Sequence, residues 1–201
     1  GCCVLGVCAG VVGMPVVLNQ DDTNFQYSFP AEKMTEAGAI EYFDLVNRGG
    51  NTHFFICANG HNAIFDSRTW DVVWRASEGR ADSSDDRSVA NSKLLHDRGV
   101  DHVRVWIECC RRKGISPWIT FRVNDVHSIE RPRAVSRSRL WIDHPEYRRI
   151  PGEDGSRGWS RAAYDFTHRE VRERKIAFAR EMMERWDADG FECDFLRFPH
   201  L

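Results

Sequence analysis

Four short apolar runs recur along the chain, each turning polar at its end, and stretches of helical spacing separate them. Residues 15–21 (PVVLNQD) form the first run, and residues 35–48 then carry Ile40, Phe43, Asp44 and Val46 at helical spacing before a Gly49-Gly50 stop. The second run is 53–59 (HFFICAN). Residues 66–86 read as polar and irregular, and 89–113 as helical with a break at Gly99. The third run is 116–124 (SPWITFRVN), followed by a loop over 126–165 rich in Arg, Trp, Pro and Gly. Thr167, His168, Arg169 and Glu170 have the order of a capping box, in which hydroxyl and carboxylate satisfy free N–H groups at a helix start. The helix it opens extends to residue 187, with Val171, Phe178, Met182 and Trp186 as its buried stripe and Ala179 and Met183 beside them. The fourth run, DGFECDFLRFP over 189–199, follows directly.

Strands alternating with helices predict an α/β chain with a parallel sheet. The pattern suits a (β/α)8-type barrel, incomplete here at about four βα units, over residues 15–201, preceded by an apolar segment at 1–14. In such a barrel all strand C-termini meet at one mouth. Asn19 and Asp21, Asn59, Arg122 and Asn124, and Glu192 and Asp194 would then converge on one pocket from distant parts of the sequence. Val17, Phe55 and Cys57 would point inward below them.

Glu192 and Asp194 carry the candidate chemistry. Side chains two apart on a strand share a face, so both carboxylates point one way while Phe191, Cys193 and Phe195 point the other. Glycosidic bond hydrolysis commonly uses two carboxyl groups, one as acid and one as base or nucleophile. Same-face neighbours on a strand stand about 6.5 Å apart. The later one lies nearer the mouth, so Asp194 is the expected contact to substrate, with Glu192 tuning it from below. Arg197 is a partner for Asp194 or for the substrate; an ion pair that merely closes the strand end is the alternative. Asn124, Asp125 and His127 form a second polar group suited to sugar hydroxyls, with Asp125 able to fix the His127 tautomer. A metal site from Asp21, Asp125 and His127 is a weaker reading, because the spacing is not diagnostic. Trp70, Trp74, Trp118, Trp141 and Trp159 could stack on sugar faces, though each is more often a packing residue.

Composition narrows the partners more than the chemistry. A net charge of −2 gives no basic excess for nucleic acid, and no run is long enough for a membrane span. Residues 131–175 nevertheless hold eleven Arg and one Lys against seven acids, which marks either an anionic substrate or a solvated face. The seven Cys lack a CxxC pair, so neither a zinc site nor a full disulfide framework is expected; Cys57 and Cys193 read as small core residues. No cofactor is implied. Residues 2–18 contain no charge and suit the apolar core of a secretion signal, which predicts a secreted or envelope-attached protein.

With these motifs in view, the chain resembles the glycosyl hydrolase-like 10 family of (β/α)8 barrels. DGFECDFLRFP (189–199) carries the resemblance, which extends through NTHFFICANG (51–60), GISPWITFRVNDVH (114–127) and HPEYRR (144–149). The resemblance implies a glycosidase acting on a carbohydrate substrate, with Asp194 and Arg197 as active-centre residues and Asn124, Asp125 and His127 lining the pocket. It places Glu192 where the family varies. A full barrel has eight strands over about 250 residues, so the resemblance makes this chain the N-terminal half of one, able to self-associate through its open edges.

Overall fold

The computed structural model describes residues 14–76, 86–126, 128–131 and 137–195. Its centre is one sheet of four strands in chain order: β1 (Val17–Gln20), β2 (His53–Cys57), β3 (Ser116–Arg122) and β4 (Gly190–Asp194). All three neighbouring pairs are parallel. Parallel neighbours need long crossovers, and helices supply them. Helices α1 (Asn24–Ser28) and α2 (Glu36–Val46) join β1 to β2, and α3 (Val73–Ala76), α4 (Asp86–Asp97) and α5 (His102–Lys113) join β2 to β3. Helices α6 (Arg139–Asp143), α7 (Trp159–Ala162) and α8 (Arg169–Arg185) lead to β4. The fold is thus α/β with a parallel sheet, as the alternation predicts. Among the described residues no helix is long and apolar enough to cross a membrane.

Local chemistry sets the helix ends. The Thr35 hydroxyl accepts the Gly38 N–H at 3.1 Å and starts α2, and the Asp101 carboxylate accepts the Arg104 N–H at 3.1 Å and starts α5. Arg111, Arg112 and Lys113 sit at the negative end of the α5 dipole, and Gly114 closes the helix in the left-handed region with φ 67°. Helix α8 departs from expectation. It begins at Arg169, after a His168 cap that makes no side-chain cap bond. The Asp165 carboxylate takes the Thr167 N–H at 2.8 Å, and Glu170 instead receives the Tyr147 hydroxyl at 2.9 Å. The capping box is therefore replaced by an Asp165 turn.

Alternation along the strands splits the sheet into two faces. Leu18, Phe54, Ile56, Ile119 and Phe121 point to the helices, where Phe54 meets the Phe43 ring at 5.3 Å and Phe121 meets Phe178 at 5.7 Å. Phe54, Trp106 and Phe178 are fully buried, and each contributes about 1.5–3 kcal/mol by leaving water. The opposite face carries Val17, Phe55, Trp118, Thr120, Arg122, Glu192 and Asp194. There Phe55 and Trp118, both half-buried, stack at 5.1 Å and 6°. The Trp118 ring lies over Gly190, where a Cβ would come within 2.4 Å of it. A glycine is required at that rung.

Three further expectations need correction. Met183 is 53% exposed, because the buried seam of α8 runs through Val171, Lys175, Phe178 and Met182, and Met183 lies a further 100° around the helix. Cys193 is exposed and Phe195 is 36% exposed, since β4 is an edge strand whose outer flank nothing among the described residues covers. The segment read as irregular at 66–86 contains Trp70, Val72, Val73 and Trp74, all buried. Of the tryptophans weighed as sugar platforms, Trp70, Trp74 and Trp141 are core residues.

Candidate functional site

The polar site grows from the last residue of β3. Arg122 leaves the sheet there with its side chain only 9% exposed, and three carboxylates surround it. Its Nη2 pairs with Asp21, which follows β1; its Nη1 lies 3.1 Å from Asp125 and 3.7 Å from Asp22. Burial works against a charge there, but the neighbouring acids outweigh it and hold the Arg122 pKa above its ordinary value. Gly60 makes room for this packing, because a Cβ at that position would stand 2.7 Å from the Asp22 carboxylate.

Two asparagines brace the strand ends. The Asn59 amide donates to the Arg122 carbonyl at 3.0 Å and accepts the Arg122 N–H at 3.1 Å, extending the β2–β3 ladder by a side chain. Asn124 does the same for the loop, donating to the Tyr164 carbonyl at 3.1 Å and accepting its N–H at 3.0 Å. Asn59 is expected from sequence as a pocket residue and Asn124 as a group for sugar hydroxyls; here their amides bond to backbone and brace Arg122 and the loop before α8.

Glu192 and Asp194 share the face of Arg122, as the spacing predicts. Asp194 is the register partner of Arg122, and Glu192 lies one layer deeper opposite Thr120, whose hydroxyl donates to it at 2.7 Å. Cys57 pairs with Thr120 in that layer; burial pushes its thiol well up, so it stays protonated. Asn19 is in register with Phe55, and Phe55 with Trp118, so it stands deeper still, on the open sheet face rather than in the Arg122 cluster. His127 and Arg197 lie outside the described residues.

Behind the cluster stands a buried network that sequence reading missed. His61 bridges the Asp125 carbonyl (2.7 Å) and the Ser138 hydroxyl (3.0 Å), and Ser138 meets the Tyr164 hydroxyl at 2.6 Å. Burial raises the Tyr164 phenol, which keeps it a neutral hydrogen-bonding group. Lys175, on α8, places its ammonium 4.1 Å from the centre of Trp70 and 5.3 Å from that of Tyr164. Burial lowers its pKa to about 7 against the opposing pull of Asp125. A lysine on the apolar seam of α8, four after Val171 and three before Phe178, was a readable signal for it. Asp22, beside Asp21 at a strand end, was another.

Among the described residues no group of three or more His, Cys, Asp or Glu side chains is arranged to hold a metal ion. Asp21 and Asp125 converge on the Arg122 guanidinium, which takes the central place that a cation would need. Compared with protein-family models and with curated proteins, the chain matches none.

Proposed function

We propose that the chain forms one side of a (β/α)8-type barrel and that its strand ends build a glycoside hydrolase site, with Asp194 as the carboxylate that meets the substrate. The observation that carries this reading is convergence. Asp21, Arg122, Asp125, Glu192 and Asp194 come from β1, β3 and β4 or their exits, and they gather toward the C-terminal end of one parallel sheet. Arg122 holds Asp21 and Asp125 in place. Glu192 and Asp194 then offer two carboxyl groups on one face, the pair such hydrolysis uses.

A carbohydrate-binding site without turnover is the second reading. The ion pairs of Asp21 and Asp125 to Arg122 favour it, because they commit two of the site's carboxylates to holding the guanidinium. One experiment separates the two. Oligosaccharides of defined linkage are incubated with the protein, and release of reducing ends is followed beside binding. Cleavage supports the hydrolase, binding without cleavage supports the second reading, and neither overturns both.

A further inference from the structure

The arginine-rich stretch at 131–175 contributes to a second feature of the same end of the fold. Several arginines are held by partners: Arg122 by carboxylates, Arg111 by Asp189 at 2.6 Å, and Arg148 by the carbonyls of Glu153 and Trp141. Arg68, Arg139 and Arg174 differ. They come from the β2–α3 connection, the first residue of α6 and the second turn of α8, and with Thr69, Trp70 and Asp71 they line one cleft of about 190 Å³.

Two of the three have an acidic neighbour that itself accepts other hydrogen bonds. Arg68 lies 3.6 Å from Glu181, whose carboxylate accepts the hydroxyls of Ser67 and Thr69 and the N–H groups of Arg68 and Thr69. Arg174 reaches Glu170 at 3.4 Å, and Glu170 is held by the Tyr147 hydroxyl. The Arg139 guanidinium has no hydrogen bond or ion pair among the described residues. Asp71 is the one acid lining the cleft, and its carboxylate accepts the Arg139 N–H. The cleft lining thus carries three arginines and one aspartate, while Arg68 and Arg174 each keep a glutamate neighbour, Glu181 and Glu170, that does not line it. Three arginines lining one cleft, the Arg139 guanidinium unpaired among the described residues, offer a receptor for a planar or tetrahedral oxyanion.

The cleft adjoins the Arg122 cluster through one layer of residues. Trp70 donates to the His61 carbonyl at 2.8 Å, and His61 in turn bonds the Asp125 carbonyl and Ser138, which directly precedes Arg139. We propose that this cleft is a subsite for the anionic substituent, carboxylate or sulfate ester, of an acidic glycan whose backbone extends to Asp194. The path of the backbone rests on the hydrolase reading above; the anion site rests on the cleft alone.

The test is calorimetric titration of the purified chain with an oligogalacturonate, a cello-oligosaccharide of equal length, and inorganic sulfate. The acidic oligomer is expected to bind more tightly than either, with affinity falling as salt rises. Arg139→Gln combined with Arg174→Gln, both exposed and checked by thermal melting, should weaken it by at least about tenfold. Equal affinity for the neutral oligomer, or no change in the double variant, overturns the subsite. Sulfate binding as tightly as the oligomer overturns the glycan assignment. Failure of the hydrolase reading looks different: the acidic oligomer still binds through these arginines, and no glycan is cleaved.

Discussion

Arg122 and Asp194 face each other as register partners on β3 and β4, at the last rung before both strands end. The Val123 N–H donates to the Asp194 carbonyl at 3.1 Å and carries the ladder one step further, which fixes the backbone under both side chains. A carboxylate on this rung stands beside a guanidinium already surrounded by Asp21, Asp22 and Asp125. Gathering that much charge at a half-buried strand end is costly in stability, a cost that the proposed binding or catalytic role would account for.

Arg122→Met tests that balance. The substitution keeps much of the stem but leaves three neighbouring aspartates without their shared cation. Removing one partner of a buried ion pair costs about 3–5 kcal/mol, and urea denaturation should show a loss of that size. A loss below about 1 kcal/mol would mean that water already screens the cluster.

Asp194→Asn removes a charge with almost no change of volume. If Asp194 is the nucleophile, acid or base, turnover should fall by at least about a hundredfold while the urea midpoint holds. Unchanged turnover would assign Asp194 to closing the strand end.

Strand order was legible because each strand is a short apolar run with a polar end, and a parallel sheet needs a helix between each pair. The same-face placement of Glu192 and Asp194 followed from period-two alternation alone. What sequence could not show was where amide groups spend their hydrogen bonds. Asn59 and Asn124 read as polar pocket residues, and their bonds to the backbone of Arg122 and Tyr164 carried no sequence signal. Nor did the sequence separate the buried Trp70 and Trp141 from the half-exposed Trp118, because that depends on which loop folds over which face. The capping box failed for a local reason, since Asp165 offers the Thr167 N–H an acceptor before the helix begins.

Two buried bases predict the pH dependence of stability. His102 is held neutral by burial, with its pKa lowered to about 4 from an ordinary 6.5, and Lys175 is lowered to about 7 from 10.5. In both windows the unfolded chain binds the extra proton, so these two groups make stability rise with pH from about 4 to 6.5 and again from about 7 to 9; above that the Cys57 and Cys110 thiols and the Tyr164 phenol, all raised by burial, pull the other way. Lys175→Met should abolish the upper rise and stabilise the fold at pH 7 by about 1–4 kcal/mol. Melts across pH check both; a Lys175→Met variant that keeps the upper rise would assign it to another group.

Gly190→Ala probes the rung beneath the site. The added methyl would meet the Trp118 ring at 2.4 Å, so the ring must leave its stack on Phe55 or the strands must part. Overpacking of this kind costs about 1–3 kcal/mol. In a double-mutant cycle Trp118→Leu should recover most of that loss, and additive losses would locate the strain elsewhere.

The sheet itself predicts the last outcome. Among the described residues β1 and β4 each pair on one side only, and the sheet face opposite the Phe54 and Phe121 side presents Val17, 51% exposed, beside the half-buried Phe55 and Trp118. Unpaired strand edges flanking apolar surface favour association, and an edge of one chain can continue the parallel ladder of another. The 201-residue polypeptide should therefore self-associate in sedimentation velocity runs, with the dimer fraction rising with concentration. Val17→Lys places a charge on the exposed face at the β1 edge and should shift the equilibrium toward monomer. A wild-type chain that stays monomeric and melts cooperatively at the highest concentrations would show that these edges are protected.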